Sequence, residues 1–174
     1  MTVIKSQVRA KFGDNISTDD MTSGKFLTGS NDPKELAKIC MYDLDPEFPD
    51  KMAPGGIIVA RNNFGCGSSR ESAPQALKAC NVKAILASEY ARIFYRNCIN
   101  IGLPVLECQE AFDKIDLDDE VEIEIGTGVV RNVTKGETYQ ASPIPDFLMD
   151  KIEAGGLLEI LREQVGKKKA EDKD

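Results

Sequence analysis

The sequence predicts one α/β domain in which a mixed sheet contains parallel strand–helix–strand units, with helices packed on it and a C-terminal antiparallel hairpin. Two apolar runs, residues 57–60 and 82–87, have the length of buried central strands, and each precedes a helical pattern. A third run, residues 103–106, follows the second helix. This succession indicates parallel pairing with right-handed crossovers. Residues 121–125 then alternate between apolar and acidic side chains before a Gly-Thr-Gly turn, which is typical of a hairpin.

The N-terminal part of the chain predicts a strand, a long loop and a short helix. Residues 3–11 alternate loosely, as in a strand. Residues 15–33 are mainly Ser, Thr, Asp and Gly, which favour irregular structure. Asp32 followed by Pro33 is typical of an N-cap and a first helical position, so we expect a helix that ends near Ile39.

Three further helical patterns complete the domain. One includes Ala73, a second covers residues 89–100, and a third covers about 146–161 with an interruption at two glycines. No internal repeat or shift in composition marks a second domain. We therefore expect residues 1–166 to form a single domain and the charged residues 167–174 to form a flexible tail.

Composition excludes several classes of protein. With 174 residues and 41% hydrophobic content, the chain can bury the core of one domain. A formal net charge of -7 argues against nucleic-acid binding, because neutralising phosphates requires a basic face. No apolar run approaches the ~20 residues of a membrane span, and the start lacks the apolar core of a signal peptide. We expect a cytoplasmic protein that binds neither nucleic acid nor membrane.

The cysteines and the absence of histidine limit the chemistry of the chain. The five cysteines form an odd set without a Cys-x-x-Cys pair, which predicts free thiols rather than disulfides, zinc or an iron–sulfur cluster. They are Cys40, Cys66, Cys80, Cys98 and Cys108. Because there is no histidine, Ser-His-Asp triads, Cys-His dyads and His-ligated metals are excluded within this chain. The sequence predicts no metal site and no cofactor bound by this chain.

The turn at residues 65–71, Gly-Cys-Gly-Ser-Ser-Arg-Glu, is the segment best suited to chemistry. Its glycines let the backbone approach a ligand, and a following helix N-terminus favours anions. Ser68 and Ser69 add hydroxyls and Arg70 adds a bidentate guanidinium, so the turn could hold a carboxylate or a phosphate. The alternative is a structural turn in which Ser68 or Ser69 is the helix N-cap and Glu71 stabilises the helix dipole.

Nucleotide binding and thiol catalysis fit this turn less well. Neither the Walker A order nor the dinucleotide Gly-x-Gly-x-x-Gly pattern is present. Cys66 could be a nucleophile near a helix N-terminus, but no histidine can activate it, and a small buried cysteine is the commoner outcome.

The run Asn-Phe-Gly-Cys-Gly-Ser-Ser-Arg-Glu at residues 63–71 resembles the signature of aconitase-type swivelling domains. Residues 13–19 resemble the family's Asp-x-x-x-Thr-Asp segment, and residues 91–97 and 100–104 resemble its second helix and next strand. The resemblance covers nearly all of residues 5–162. Chain length is similar to that of the separate small subunits of 3-isopropylmalate dehydratase and its relatives, rather than to fused aconitase.

The resemblance implies the small subunit of a two-subunit hydro-lyase that interconverts 2-isopropylmalate and 3-isopropylmalate, by dehydration and rehydration, in leucine biosynthesis. In this family the serine at the position of Ser68 removes or returns the proton on the carbon beside a carboxylate. Arg70 would hold a carboxylate of the small di-carboxylate substrate, with Ser69 and Gly67 as further contacts. The resemblance also implies that the 4Fe-4S cluster and the general acid belong to the large subunit, so this chain would contribute half of a site.

Two further residues resemble the family, and one position differs from it. Thr18 and Asp19 resemble its acidic corner and are expected to orient Arg70 or the substrate, with an Asx or ST turn as the alternative. The family commonly has His after Ser-Ser-Arg-Glu, whereas this chain has Ser72. Since that position should face away from the substrate, we expect the change to affect fine tuning only.

Substrate choice in the family resides largely in the loop after the Thr-Asp motif, which here includes Lys25, Phe26, Leu27 and Thr28. Relatives that act on tricarboxylates place an arginine at the position of Thr28. A small neutral residue cannot pair with a third carboxylate, whereas Phe26 and Leu27 could line a pocket for an alkyl group. The loop therefore favours 2-isopropylmalate, and Lys25 is the alternative source of a cation.

Two alternative functions remain open from the sequence. A related dehydratase for 2,3-dimethylmalate, citramalate or homoaconitate would have nearly the same motifs, because a few buried carbons are worth only ~1–3 kcal/mol of discrimination. A non-enzymatic module that binds carboxylate metabolites belongs to a different class, and the absence of a large-subunit partner would favour it.

Overall fold

A computed structural model describes the backbone of residues 2–25 and 32–171, with side chains to residue 166. Its strands are β1 (Val3–Phe12), β2 (Gly56–Ala60), β3 (Val82–Ala87), β4 (Val105–Glu107), β5 (Glu120–Glu124), β6 (Val129–Asn132) and β7 (Glu137–Gln140). Its helices are α1 (Thr18–Met21), α2 (Pro33–Ile39), α3 (Phe48–Met52), α4 (Ser72–Ala79), α5 (Arg92–Asn100), α6 (Ala111–Lys114), α7 (Asp146–Glu153) and α8 (Leu157–Glu171). The strands form one mixed sheet in the order β4-β3-β2-β1-β5-β6-β7.

One half of the sheet is parallel, as predicted. Strands β2, β3 and β4 pair in parallel, and α4 and α5 make the two crossovers. All five residues of β2 are buried, which explains its continuous apolar sequence. Strand β1 also pairs with β2 in parallel, a contact that the sequence pattern did not predict. The carboxyl ends of β1 to β4 therefore lie at one edge of the sheet, called the carboxyl edge below.

The other half of the sheet is antiparallel. The predicted hairpin is confirmed as β5 and β6, with Val121 opposite Asn132. It continues into β7, which was not predicted, and β5 pairs with β1. Strand β1 thus belongs to both halves and joins them in one sheet. This mixed sheet with packed helices agrees with the predicted fold class.

Two predictions for residues 15–39 had different outcomes. The prediction of wholly irregular structure after residue 15 was wrong at α1, which a capping box stabilises. Ser17 Oγ accepts a hydrogen bond from Asp20 N at 3.1 Å, and the Asp20 carboxylate accepts one from Ser17 N at 2.8 Å. The prediction of α2 was confirmed, since Asp32 is its N-cap and accepts a hydrogen bond from Lys34 N at 3.0 Å.

The later helices differ from their predicted bounds at the ends. Helix α5 begins at Arg92, not near residue 89, because Tyr90 forms a parallel bridge with Phe64. Helices α7 and α8 are separated at two glycines with positive φ, as their sequence indicated. The backbone is helical to Glu171, while the boundary at residue 166 stays a prediction.

Aromatic packing fixes the turn after β2 against α5. The rings of Phe64 and Phe94 meet edge to face with centroids 5.6 Å apart, and both are buried. Gly65 has φ of +81°, and a Cβ there would lie 2.0 Å from Cγ of Phe94. Only glycine fits this position without moving the ring. Of the described helices, none has the length and apolar character needed to cross a bilayer.

Candidate functional site

The loops that follow β1 and β2 lie side by side at the carboxyl edge. Their contact follows from the parallel pairing of the two strands, which places both strand ends together. Gly65 N donates a hydrogen bond to Ile16 O at 2.7 Å, and Thr18 N donates one to Cys66 O at 2.8 Å. The structure therefore brings together the two motifs that the family resemblance identified separately.

The Thr18 hydroxyl contacts both the backbone and the hydroxyl of Ser68. Thr18 Oγ1 accepts a hydrogen bond from Ser68 N at 3.1 Å and lies 3.2 Å from Ser68 Oγ and 3.1 Å from Ser68 O. Thr18 is 1% exposed, whereas Ser68 is exposed. Gly67 lies between the two loops with φ of +96°, a conformation that favours glycine. The serine hydroxyl is thus held in place and open on its outer side.

Asp19 holds Arg70 beside this serine. Arg70 Nη1 lies 2.6 Å from Asp19 Oδ1 and donates a longer hydrogen bond of 3.5 Å to Thr22 O. A guanidinium has five donors, so Arg70 can hold Asp19 and a substrate carboxylate at the same time. Thr18 and Asp19 lie in the first turn of α1, where Ser17 and not Thr18 is the N-cap, so an Asx or ST turn does not account for them.

The alternative role of Ser68 or Ser69 as a helix N-cap is wrong. Helix α4 begins at Ser72, and its N-cap is Glu71, which makes no side-chain cap hydrogen bond. Both serines are exposed residues of the turn that precedes Glu71. Ser72 is half-buried, and its Oγ lies 3.4 Å from Thr22 Oγ1.

Asn97 is a site neighbour that the sequence reasoning missed. Its side-chain amide on α5 donates a hydrogen bond of 3.4 Å to Ser69 O. The capping box of Ser17 and Asp20 was also missed, although the pattern Ser-x-x-Asp at these positions could have revealed it. Asn97 is the last residue of the run 91–97 that resembles the family's second helix, but no local signal gave it a role, because its contact depends on how α5 packs against the turn.

The predicted specificity loop is described only at its start. Phe26, Leu27 and Thr28 lie outside the described residues. Lys25 is exposed, and it follows Gly24, where a Cβ would lie 3.8 Å from Arg70 Nη1. The described start of the loop therefore lies close to the guanidinium of Arg70.

Four of the five cysteine side chains are packed in the interior, and Cys66 is half-buried. Cys40, Cys80, Cys98 and Cys108 are buried, and burial raises the pKa of the Cys98 thiol well above its usual value. Among residues 2–25 and 32–171, no three His, Cys, Asp or Glu side chains are grouped so that they could hold a metal ion. The described residues of this chain therefore do not fit an iron–sulfur cluster.

Comparison with known proteins identifies the family. The model of the aconitase C-terminal domain family matches residues 30–111. The 3-isopropylmalate dehydratase small subunit of Caldicellulosiruptor bescii is 51% identical over 157 residues, which are 90% of this chain and 94% of that protein. That of Caldanaerobacter subterraneus is 53% identical over 155 residues, 89% of this chain and 96% of the relative.

A solved structure agrees with these relatives. The crystal structure of 3-isopropylmalate dehydratase from Methanocaldococcus jannaschii is 40% identical in sequence and superposes with a TM-score of 0.86. The match covers 97% of this chain and 99% of that one. Identity, coverage and fold agree along almost the whole chain, which therefore belongs to the 3-isopropylmalate dehydratase small-subunit family of aconitase-type proteins.

Proposed function

We propose that this chain supplies the base and a carboxylate clamp to a two-subunit 3-isopropylmalate dehydratase. The enzyme would interconvert 2-isopropylmalate and 3-isopropylmalate by removing and adding water. The observation that carries the assignment is the joint placement of Ser68 and Arg70. Two consecutive residues of α1 contact them. The Thr18 hydroxyl lies 3.2 Å from Ser68 Oγ, and Asp19 Oδ1 lies 2.6 Å from Arg70 Nη1.

Ser68 is suited to moving the proton on the carbon beside a substrate carboxylate. During dehydration the Oγ atom takes this proton, and during rehydration it returns it. A serine alkoxide needs stabilisation, because a free hydroxyl is a very weak base. The Thr18 hydroxyl at 3.2 Å and the Arg70 cation of the same turn can stabilise the negative charge that Oγ carries before it takes the proton and again after it returns the proton.

The exposure of Ser68 supports a site shared with a second polypeptide. Stabilisation of an alkoxide is strong only where water is excluded, yet the outer side of this turn is open. We assign three contributions to the large subunit: the surface that excludes water from Ser68, the general acid and a 4Fe-4S cluster. The cluster would supply Lewis-acid chemistry at the leaving hydroxyl. The five free cysteines support a location in the reducing cytoplasm.

Reconstitution tests the proposal directly. The purified chain should be inactive and colourless alone, and addition of the large subunit should produce hydration of 2-isopropylmaleate and both dehydration reactions. Absorbance of the unsaturated intermediate follows each reaction. A chain that never co-purifies with a large subunit would favour the carboxylate-binding module. Iron bound stoichiometrically by this chain alone would contradict the placement of the cluster.

Thr28→Arg should change substrate preference. The guanidinium would lose water beside an alkyl group without gaining a partner, so kcat/KM for 2-isopropylmalate should fall. A substrate with a carboxylate in the same arm should be used relatively better. The measurement is the ratio of kcat/KM for 2-isopropylmalate and homoaconitate in both variants with one large subunit. A ratio unchanged within about threefold, under ~1 kcal/mol, would mean that residue 28 does not face the variable arm.

A further inference from the structure

A second surface adjoins the turn at residues 65–71, at the carboxyl edge of the sheet. The α5 surface consists of Arg92, Ile93, Arg96 and Phe147. Tyr90, just before α5, forms a parallel bridge with Phe64 of the loop that carries Ser68. Ala91 N also donates a hydrogen bond of 3.0 Å to Phe64 O. A macromolecule that covers Ser68 would therefore also meet the start of α5.

Two arginines of the α5 surface have no acidic partner within the part of the chain that the structure describes. Arg92 and Arg96 are exposed and lie one helical turn apart, where like charges destabilise a helix. The other arginines all form ion pairs, with N–O distances from 2.6 to 3.7 Å: Arg9, Arg61, Arg70, Arg131 and Arg162. In a chain of net charge -7, two adjacent unpaired arginines indicate that acidic groups come from elsewhere.

The same surface exposes large apolar side chains beside a cavity. Ile93 is 53% exposed and Phe147 is 76% exposed. The cavity, of about 540 Å³, lies between α5 and the start of α7, and Tyr95, Leu148 and Glu107 are among its lining residues. Aromatic and arginine side chains around a concave apolar patch are typical of protein interfaces.

We propose that the α5 surface docks the large subunit, with an apolar side chain of the partner in the cavity and acidic residues opposite Arg92 and Arg96. This inference rests on the proposed function, because it takes the partner to be the polypeptide that covers Ser68. A small di-carboxylate fits the cavity less well, because Phe147 and Leu148 line it together with Arg92 and Arg96, and such a ligand has no apolar group to cover these side chains. A second copy of the chain also fits poorly, because a two-fold contact would bring the same arginines together.

Charge reversal in the reconstituted enzyme tests the docking surface. The double variant R92E/R96E should raise the Kd for the large subunit by about tenfold or more, with a larger effect at low salt. Phe147→Ala should weaken binding similarly at low and high salt, because its contact is apolar. At saturating large subunit, kcat and KM of both variants should return to within about twofold of wild type, since the proposal assigns these residues to binding of the partner and not of the substrate.

The control for location is Arg131→Glu, which reverses the charge of one exposed arginine on β6, a strand that β5 separates from β1. Its Kd should stay within about twofold of wild type, and circular dichroism should show that all variants are folded. If wild type assembles and R92E/R96E binds equally well, the docking proposal is wrong and the proposed function stands. An increase in KM at unchanged Kd would also overturn it, in favour of a substrate contact. If wild type neither assembles nor gains activity, the proposed function itself fails.

Discussion

Ser68→Ala is expected to lower kcat of the reconstituted enzyme by about 10³-fold or more, within the range of contributions from a positioned base. The KM for 2-isopropylmalate should change little, because the Oγ atom acts in the transition state and not in substrate binding. Ser68 is exposed, and its backbone keeps its contacts with Thr18, so the fold should be unaffected. Steady-state kinetics in both directions at saturating large subunit measure the effect.

Cys66→Ala is the matched control for this variant. It removes the one cysteine side chain that is only half-buried, two residues before Ser68 in the same turn. Its backbone carbonyl, which accepts the hydrogen bond from Thr18 N, is retained. We expect kcat within about threefold of wild type. Loss of activity in Cys66→Ala, together with near-normal activity in Ser68→Ala, would transfer the base to the thiol and refute the assignment.

Arg70→Lys is expected to raise KM and to lower kcat/KM by about 10- to 100-fold. A hydrogen bond to a charged group contributes about 1.5–3 kcal/mol, and each 1.36 kcal/mol is a factor of ten. Lysine keeps the charge but cannot bind a carboxylate in bidentate form, and it cannot hold Asp19 and the substrate in the same geometry. Substrate dependence of the initial rate separates the two parameters.

Arg61→Lys is the corresponding control. Arg61 is similarly exposed and pairs with Asp113 at 3.0 Å, outside the Ser68–Arg70 turn. Its kcat/KM should remain within about twofold of wild type, because an exposed ion pair contributes little. If Arg70→Lys has the same kinetics as Arg61→Lys, then Arg70 stabilises α1 through Asp19 and does not hold the substrate.

Short elements were the main failures of the sequence analysis. Helices α1, α3 and α6 have four or five residues each, too few for a helical period to be recognised. Strand β7 has four residues, of which one is buried, so it lacks a clear alternation. Longer elements with buried faces were predicted correctly, β3 from its nearly continuous apolar run and α4 from its helical periodicity.

The roles of the site residues depend on contacts between distant segments. Thr18 and Ser68 are 50 positions apart, and both belong to motifs that the family resemblance had identified. Their distance of 3.2 Å follows from the parallel register of β1 and β2, for which the sequence offers no local signal. The assignment of Asp19 to Arg70 likewise needed the position of α1, which the irregular-loop prediction had omitted.

The sequence by itself determined the parallel strand–helix units, the glycine turn, the lack of histidine and the family resemblance. These features depend on local periodicity, turn chemistry and residue identity, which can be read within a few positions. Only the tertiary structure decided that Glu71 is the N-cap, that Asn97 contacts Ser69, and that Arg92 and Arg96 have no acidic partner among the described residues. The physical reason is that side chains become neighbours through strand register and helix packing, which sum weak interactions over the whole chain.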